Sequence, residues 1–216
     1  MAITATNEGG VQTREQVPSG NHVARCVKMI HIGTVNTEYL GEVKVQNKIR
    51  IGWELPNETR VFNPDKGEQP MVIENTYTLS MHEKASLRAM LQNWRGKAFT
   101  DEEAKGFDVT KLLGVPCMLN VIHKPSKDGQ KVYANISGVT PLPKGFVCPE
   151  QVNPTFELNY DEFDKEKFDS LPKFIQEEMQ DSVEYKKMNA VSGLSSFMTE
   201  DTPNNSQADE DDQLPF

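Results

Sequence analysis

Val43-Lys44-Val45-Gln46-Asn47-Lys48-Ile49-Arg50-Ile51-Gly52-Trp53-Glu54-Leu55 alternates apolar and polar side chains. A period of two is the signature of a strand with one face on a core and one toward solvent. Val43, Val45, Ile49, Ile51 and Trp53 fall on the first face, and Lys44, Gln46, Lys48 and Arg50 on the second.

Working outward, His22 to Thr34 is rich in Val and Ile and reads as a long strand. Asn36 to Gly41, carrying Tyr39, is the turn between the two. On the other side Asn57 to Pro70, with Pro64 and Gly67, reads as a long loop leading to a third strand at Met71 to Leu79. Ser80 and Glu83 have the spacing of a capping box, which predicts a helix over Met81 to Trp94. Leu87, Met90, Leu91 and Trp94 form its buried stripe, and Gly96 is its stop. After a charged stretch at Asp101 to Lys105 and a turn at Phe107 to Leu113, a fourth strand spans Val115 to His123. A hairpin turn at Ser126-Lys127-Asp128-Gly129 returns the chain through a fifth strand, Lys131 to Val139.

Three strands, one helix and a two-stranded hairpin is the order of the oligonucleotide/oligosaccharide-binding (OB) fold, a five-stranded Greek-key barrel. Other small barrels and α+β domains fit the same string. The expected class is mainly β, with one helix between strands three and four. Residues 1–20 read as a flexible arm, 21–148 as the barrel, 149–189 as a helical extension and 190–216 as a disordered acidic tail. Phe163, Lys167, Leu171, Ile175 and Met179 carry the helical spacing in the extension, with Pro172 opening a second helix.

Charge follows this division. Residues 1–149 hold 18 basic and 15 acidic side chains, net +3, and 150–216 hold 5 and 17, net −12, which together give the chain's −9. Cys26, Cys117 and Cys148 are too scattered for a disulfide framework or a zinc site and fit a reducing compartment. With neither an apolar run near 18 residues nor a signal-type start, the expectation is a cytoplasmic protein without membrane contact, in the host cytoplasm if phage-encoded.

Catalytic signatures fail on inspection. His82-Glu83-Lys84-Ala85-Ser86 puts Ser86 where a zinc-protease helix needs its second His, and Gly96-Lys97 lacks the rest of a phosphate loop. Asp101, Glu102 and Glu103 are adjacent and point apart, as on a solvated face. The expectation is a protein that is not an enzyme, with no cofactor and no metal.

Cations interleaved with aromatics carry more information. Binding a single strand requires cations along the phosphates and flat side chains against the bases. Lys44, Lys48 and Arg50 provide the first on one strand, and Tyr39, Lys124, Lys127, Lys131 and Tyr133 lie in the two loops that frame the usual binding face of such a barrel. A solvent-facing strand is also Lys-rich for solubility alone. Trp53 and Trp94 fall on apolar faces and read as core, and Arg88 and Arg95 as covers of the helix stripe.

The chain ends Asp209-Glu210-Asp211-Asp212-Gln213-Leu214-Pro215-Phe216. Four acids cannot build a core with Leu214, Pro215 and Phe216, so the segment reads as bait: a negative approach, an apolar plug and a carboxylate that an Arg can clamp. This ending resembles the acidic tip of bacterial and phage single-stranded DNA-binding proteins. Over roughly Gly20 to Gly145, Trp53-Glu54-Leu55-Pro56, Tyr77-Thr78-Leu79-Ser80, Leu87-Arg88 and Trp94-Arg95-Gly96-Lys97 are similar to a group of small phage-encoded proteins with a barrel of this kind. The resemblance implies a protein that coats single-stranded DNA in replication, recombination or repair and recruits enzymes by its tail. A recombination mediator or replication accessory factor, a nuclease, and a protein-interaction adaptor remain alternatives. The helical extension, which the bacterial family lacks, leaves the oligomeric state open, a homo-oligomer included.

Overall fold

In the computed structural model, which describes residues 16–39, 41–126 and 129–198, Ile49, Ile51, Trp53 and Leu55 are buried on one face of a 22-residue strand, Glu42–Asn63 (β2). It pairs antiparallel with Gly20–Tyr39 (β1) on one side and Gly67–Thr78 (β3) on the other. The first part of β1 pairs with Pro116–Pro125 (β4), which pairs with Val132–Thr140 (β5), so the order is β3-β2-β1-β4-β5. A short strand, Phe156–Leu158 (β6), joins β1 in parallel at Lys28, Met29 and Ile30. The protein is mainly β: a curled antiparallel sheet whose two ends, β3 and β5, approach one another.

Helix Ser86–Arg95 (α1) packs Leu87, Met90, Leu91 and Trp94 into the hollow of this sheet, with Trp94 and Trp53 6.0 Å apart at their ring centroids. Both tryptophans are core, as their positions in the pattern predict. Gly96 ends the helix in the left-handed conformation. The Ser80/Glu83 capping box does not form: the Ser80 hydroxyl takes the amide of His82 in a local turn, and α1 starts after an uncapped Ala85. Thr100 and Glu103 make the capping box instead, on Asp101–Lys105 (α2), and there Arg95 holds the Glu103 carboxyl down to about 2. Burial pushes the Cys26 thiol up to about 12 and raises that of Cys117, which keeps both protonated.

Two stretches that read as connections are strand. β1 continues through Asn36 to Tyr39, and the polar segment Asn57 to Pro70 extends the β2–β3 hairpin beyond a register shift between Leu55 and Thr59, closed by a 3-10 turn at Pro64–Lys66. Val43 and Val45 alternate correctly yet are exposed, because β3 ends at Thr78 opposite Lys48 and, among the described residues, no other element pairs with β2 on that side beyond it.

The extension forms Lys165–Asp169 (α3), Lys173–Gln180 (α4) and Val183–Met198 (α5). Leu171, Ile175 and Met179 are buried as the spacing predicts, joined by Phe168, against Ile30, Ile32 and Val35 on the outer side of β1. The Tyr160 hydroxyl donates to the Ile32 carbonyl at 2.8 Å, and Glu184 accepts from the amide and hydroxyl of Thr34 at 2.6 and 2.7 Å. Gly33 makes this seating possible: at φ 93° a Cβ there would lie 2.7 Å from the Glu184 carboxylate and 2.8 Å from Ser182. α5 runs to Met198, past the boundary at Asn189 where composition predicts disorder, because extending a seated helix costs far less than starting one. Among the described residues no helix is long and apolar enough to cross a membrane.

One core lies on each side of β1, so the extension and the sheet should unfold as one unit. Trp94→Ala should cost about 3–5 kcal/mol and Ile175→Ala about 2–5 kcal/mol. In urea denaturation, circular dichroism and tryptophan fluorescence should give coincident transitions in both variants. A separate early loss of helix in Ile175→Ala would show that the extension folds independently.

Candidate nucleic-acid interface

Lys48 and Arg50 project together from the outer face of β2, two positions apart, where the alternation places them. Gly52, next on that face, stands between Lys28 of β1 and Glu74 of β3 in the ladder. A Cβ at Gly52 would sit 3.1 Å from both neighbouring side chains, so its absence lets Lys28 reach over to Glu74 at 2.7 Å. Glu74 also accepts from Arg50 Nε at 2.6 Å, and the Arg50 guanidinium reaches the Thr76 hydroxyl at 3.3 Å. Burial raises the Glu74 carboxyl, but the hydrogen bonds and charges of Lys28 and Arg50 outweigh it and hold it below its ordinary 4.5.

α4 covers the margin of this row. Phe174 lies against Arg50, with the guanidinium carbon 5.4 Å from the ring centroid, and Glu178 receives Lys48 at 3.2 Å. The match is geometric: two strand positions span about 6.6 Å, and four helix positions about 6 Å. Phe174 and Glu178 therefore meet Arg50 and Lys48 in step, with the helix antiparallel to β2. A polar notch of about 340 Å³ lined by Val35, Asn36, Lys48, Glu178, Asp181 and Lys186 opens beside Lys48. Next to Glu74, the Lys28 ammonium also lies 5.7 Å from the Phe156 ring centroid.

The other predicted residues fall at the two ends of the sheet. Lys44 and Tyr39 lie at the β1–β2 tip, where Lys44 pairs in the ladder with Thr37 and its ammonium is 3.5 Å from Glu42. Lys124 stands directly opposite Tyr133 on the β4–β5 hairpin, with half of the Tyr133 side chain exposed, and Lys131 precedes β5. Lys127 and the whole tip from Asp209 to Phe216, including Glu210, Asp211, Asp212, Leu214 and Pro215, lie outside the described residues. The ladder thus separates the β1–β2 tip from the β4–β5 tip by the length of β1, and the Lys48–Arg50 row lies between them.

Sequence reading missed several members of this surface. Lys28, Glu74, Phe174 and Glu178 join through contacts between distant segments, with Lys48 and Glu178 130 residues apart. The extended β2–β3 arm also carries Arg60, the exposed Phe62 and Lys66 to the end of the sheet where the β4–β5 hairpin turns. The one local signal was available on α4, where Phe174 and Glu178 are an i,i+4 pair off the buried stripe. Arg88 and Arg95 serve the fold: Arg88 donates to the carbonyls of Met81 and Phe99, and Arg95 binds Glu103 over the Phe99 ring. Among the described residues no group of three or more His, Cys, Asp or Glu side chains is placed to hold a metal ion. An apolar pocket of about 450 Å³, lined by residues including Leu91, Trp94, Phe107, Leu112 and Leu142, lies apart from the cation row.

Glu74 ties Lys28 and Arg50, so Glu74→Gln should destabilise the protein at neutral pH by on the order of 1.5–3 kcal/mol. Because its folded carboxyl titrates below 4.5, this stabilisation is complete above about that pH and is lost as pH falls through the folded value. The gap in unfolding free energy between wild type and variant should therefore narrow as pH falls below about 4.5 in urea titrations. A gap independent of pH would assign the Glu74 effect to packing.

No protein-family model matches the chain, and comparison with curated proteins finds no match.

Proposed function

We propose that this chain is a single-stranded DNA-binding protein of the phage type, built on an OB barrel, that coats exposed strands and recruits other proteins through its acidic Pro-Phe tip. The observation that carries the reading is the cationic row Lys48–Arg50 on the outer face of β2, in a curled sheet ordered β3-β2-β1-β4-β5 with a helix between β3 and β4. That order and that helix agree with an OB barrel, whose second and third strands carry the usual binding face. Lys124 opposite the half-exposed Tyr133 adds a cation and a flat ring at the β4–β5 hairpin, the pairing that a single strand requires.

Cations already paired with carboxylates are compatible with this role. Lys48 and Glu178 are partly buried, with side chains 18% and 31% exposed, so a phosphate that takes Lys48 displaces Glu178 beside the polar notch. Arg50 is more firmly held and acts as a fixed positive edge. In this reading the tip supplies a plug and a carboxylate to a partner protein, and the body handles the strand.

Fluorescence anisotropy with labelled dT oligonucleotides and with duplex tests the proposal directly, with preference for the single strand expected. Neutralising Lys44, Lys48, Lys124 and Lys131 to Ala should weaken binding to all sequences alike. It should also flatten the log-log salt dependence by about 0.7 for each phosphate that is no longer neutralised. Full affinity in the folded quadruple variant would put the interface elsewhere.

Deleting Asp209 to Phe216 should leave affinity for dT equal or higher at low salt, because a tethered acidic segment competes with phosphate for the basic body, and the gain should fade as salt screens it. Removing Phe216 alone should abolish partner capture from host extract and spare DNA binding. Recovery of the same partners with and without Phe216 would reduce the tip to a solubilising tail.

A further inference from the structure

We infer that Phe174 is a base-stacking residue for single-stranded nucleic acid, a role that deepens the proposed function and rests on it. More than half of this side chain, 57%, is exposed, although it stands in a helix whose apolar stripe is otherwise buried. Leu171, Ile175 and Met179 already fill the contact with β1, and Phe174 is no part of that core. Its surroundings are those of a nucleotide site. On one side the Arg50 guanidinium lies 5.4 Å from the ring centroid, and Arg50 is fixed in turn by Glu74 at 2.6 Å and Thr76 at 3.3 Å. One helical turn on, Glu178 holds Lys48 at the edge of the polar notch that Lys186 also lines.

A flat ring held by a guanidinium, with a second cation two strand positions away, offers a base its stacking surface and the adjoining phosphate its charge. Rigidity of its helix strengthens the assignment: Pro172 opens it and the buried Ile175 and Met179 anchor it, so the ring is presented from a fixed backbone. A protein partner fits less well. A single ring among Lys48, Arg50 and Glu178 is far short of the contiguous apolar patch that a protein interface presents.

The test uses the full-length chain, a labelled dT oligonucleotide and three variants. Phe174→Ala and Phe174→Leu should each weaken binding roughly five- to a hundred-fold, with melting temperatures close to wild type because the side chain is mostly exposed. Leu keeps the apolar bulk and loses the π face, so the two should fall together. Phe174→Trp should restore affinity, and the emission of its exposed indole should be quenched on addition of dT, whereas Trp53 and Trp94 are buried and should respond little. Wild-type affinity in both Ala and Leu variants would overturn the inference and leave the ring to a protein contact. Rescue by Leu alone would also overturn it, since any apolar group would then serve. Failure of the wild-type protein to bind dT at low salt would remove the proposed function and this inference with it, an outcome read before any variant is made.

Discussion

β1 is buried on both faces, and the rest of the structure depends on how it manages this. Ala24 and Cys26 point into the curled sheet, a register shift follows between Cys26 and Lys28, and Met29 then takes the inward position. That slip in parity hands Ile30 and Ile32 to the outer side in place of Met29 and His31, and a second shift follows between His31 and Gly33. Both isoleucines are completely buried there, each burial worth roughly 1.5–3 kcal/mol. A sheet with such an outer face cannot stand bare in water, so the extension is a structural necessity before it is anything else.

The position of α4 follows from that necessity. Ile175 and Met179 must reach Ile30, Ile32 and Val35, and Gly33 must let Ser182 and Glu184 come within van der Waals distance of the backbone. Once the helix lies there, one flank of its buried stripe faces β2. Phe174 and Glu178 thus meet Arg50 and Lys48 as a consequence of packing one strand away. Chemistry at the cation row is set by a core that contains none of its residues.

This explains which features the sequence made legible. The stripe Leu87, Met90, Leu91 and Trp94, the core tryptophans and Ile49 and Ile51 of the inward set of β2 are local periodicities, and all of these are buried as read. The failures have local look-alikes or no local signal. Ser80 and Glu83 satisfy a capping spacing, but the Ser80 hydroxyl found the His82 amide first. Asn57 to Pro70 is polar and interrupted by Pro64 and Gly67; its strand character comes from ladder bonds across the hairpin and not from buried side chains. Lys48 and Arg50 could be placed outward by parity, yet their partners come from Glu74 and from Glu178. No window of sequence contains such a pair.

Contacts also join the two oppositely charged parts of the chain. Glu178 and Glu184 belong to the net −12 segment, and they sit on Lys48 and against Thr34 of the net +3 body. Glu178 keeps Lys48, a largely buried cation, paired while no phosphate is bound, and Glu184 ties the extension to β1. Arg50 differs because Glu74 comes from the sheet itself and is shared with Lys28; replacing it would leave two cations without their carboxylate. On the proposed function the two positions therefore divide the work. Lys48 exchanges a carboxylate for a phosphate and contributes to salt dependence, whereas Arg50 stays in place and fixes the geometry against which a base is received.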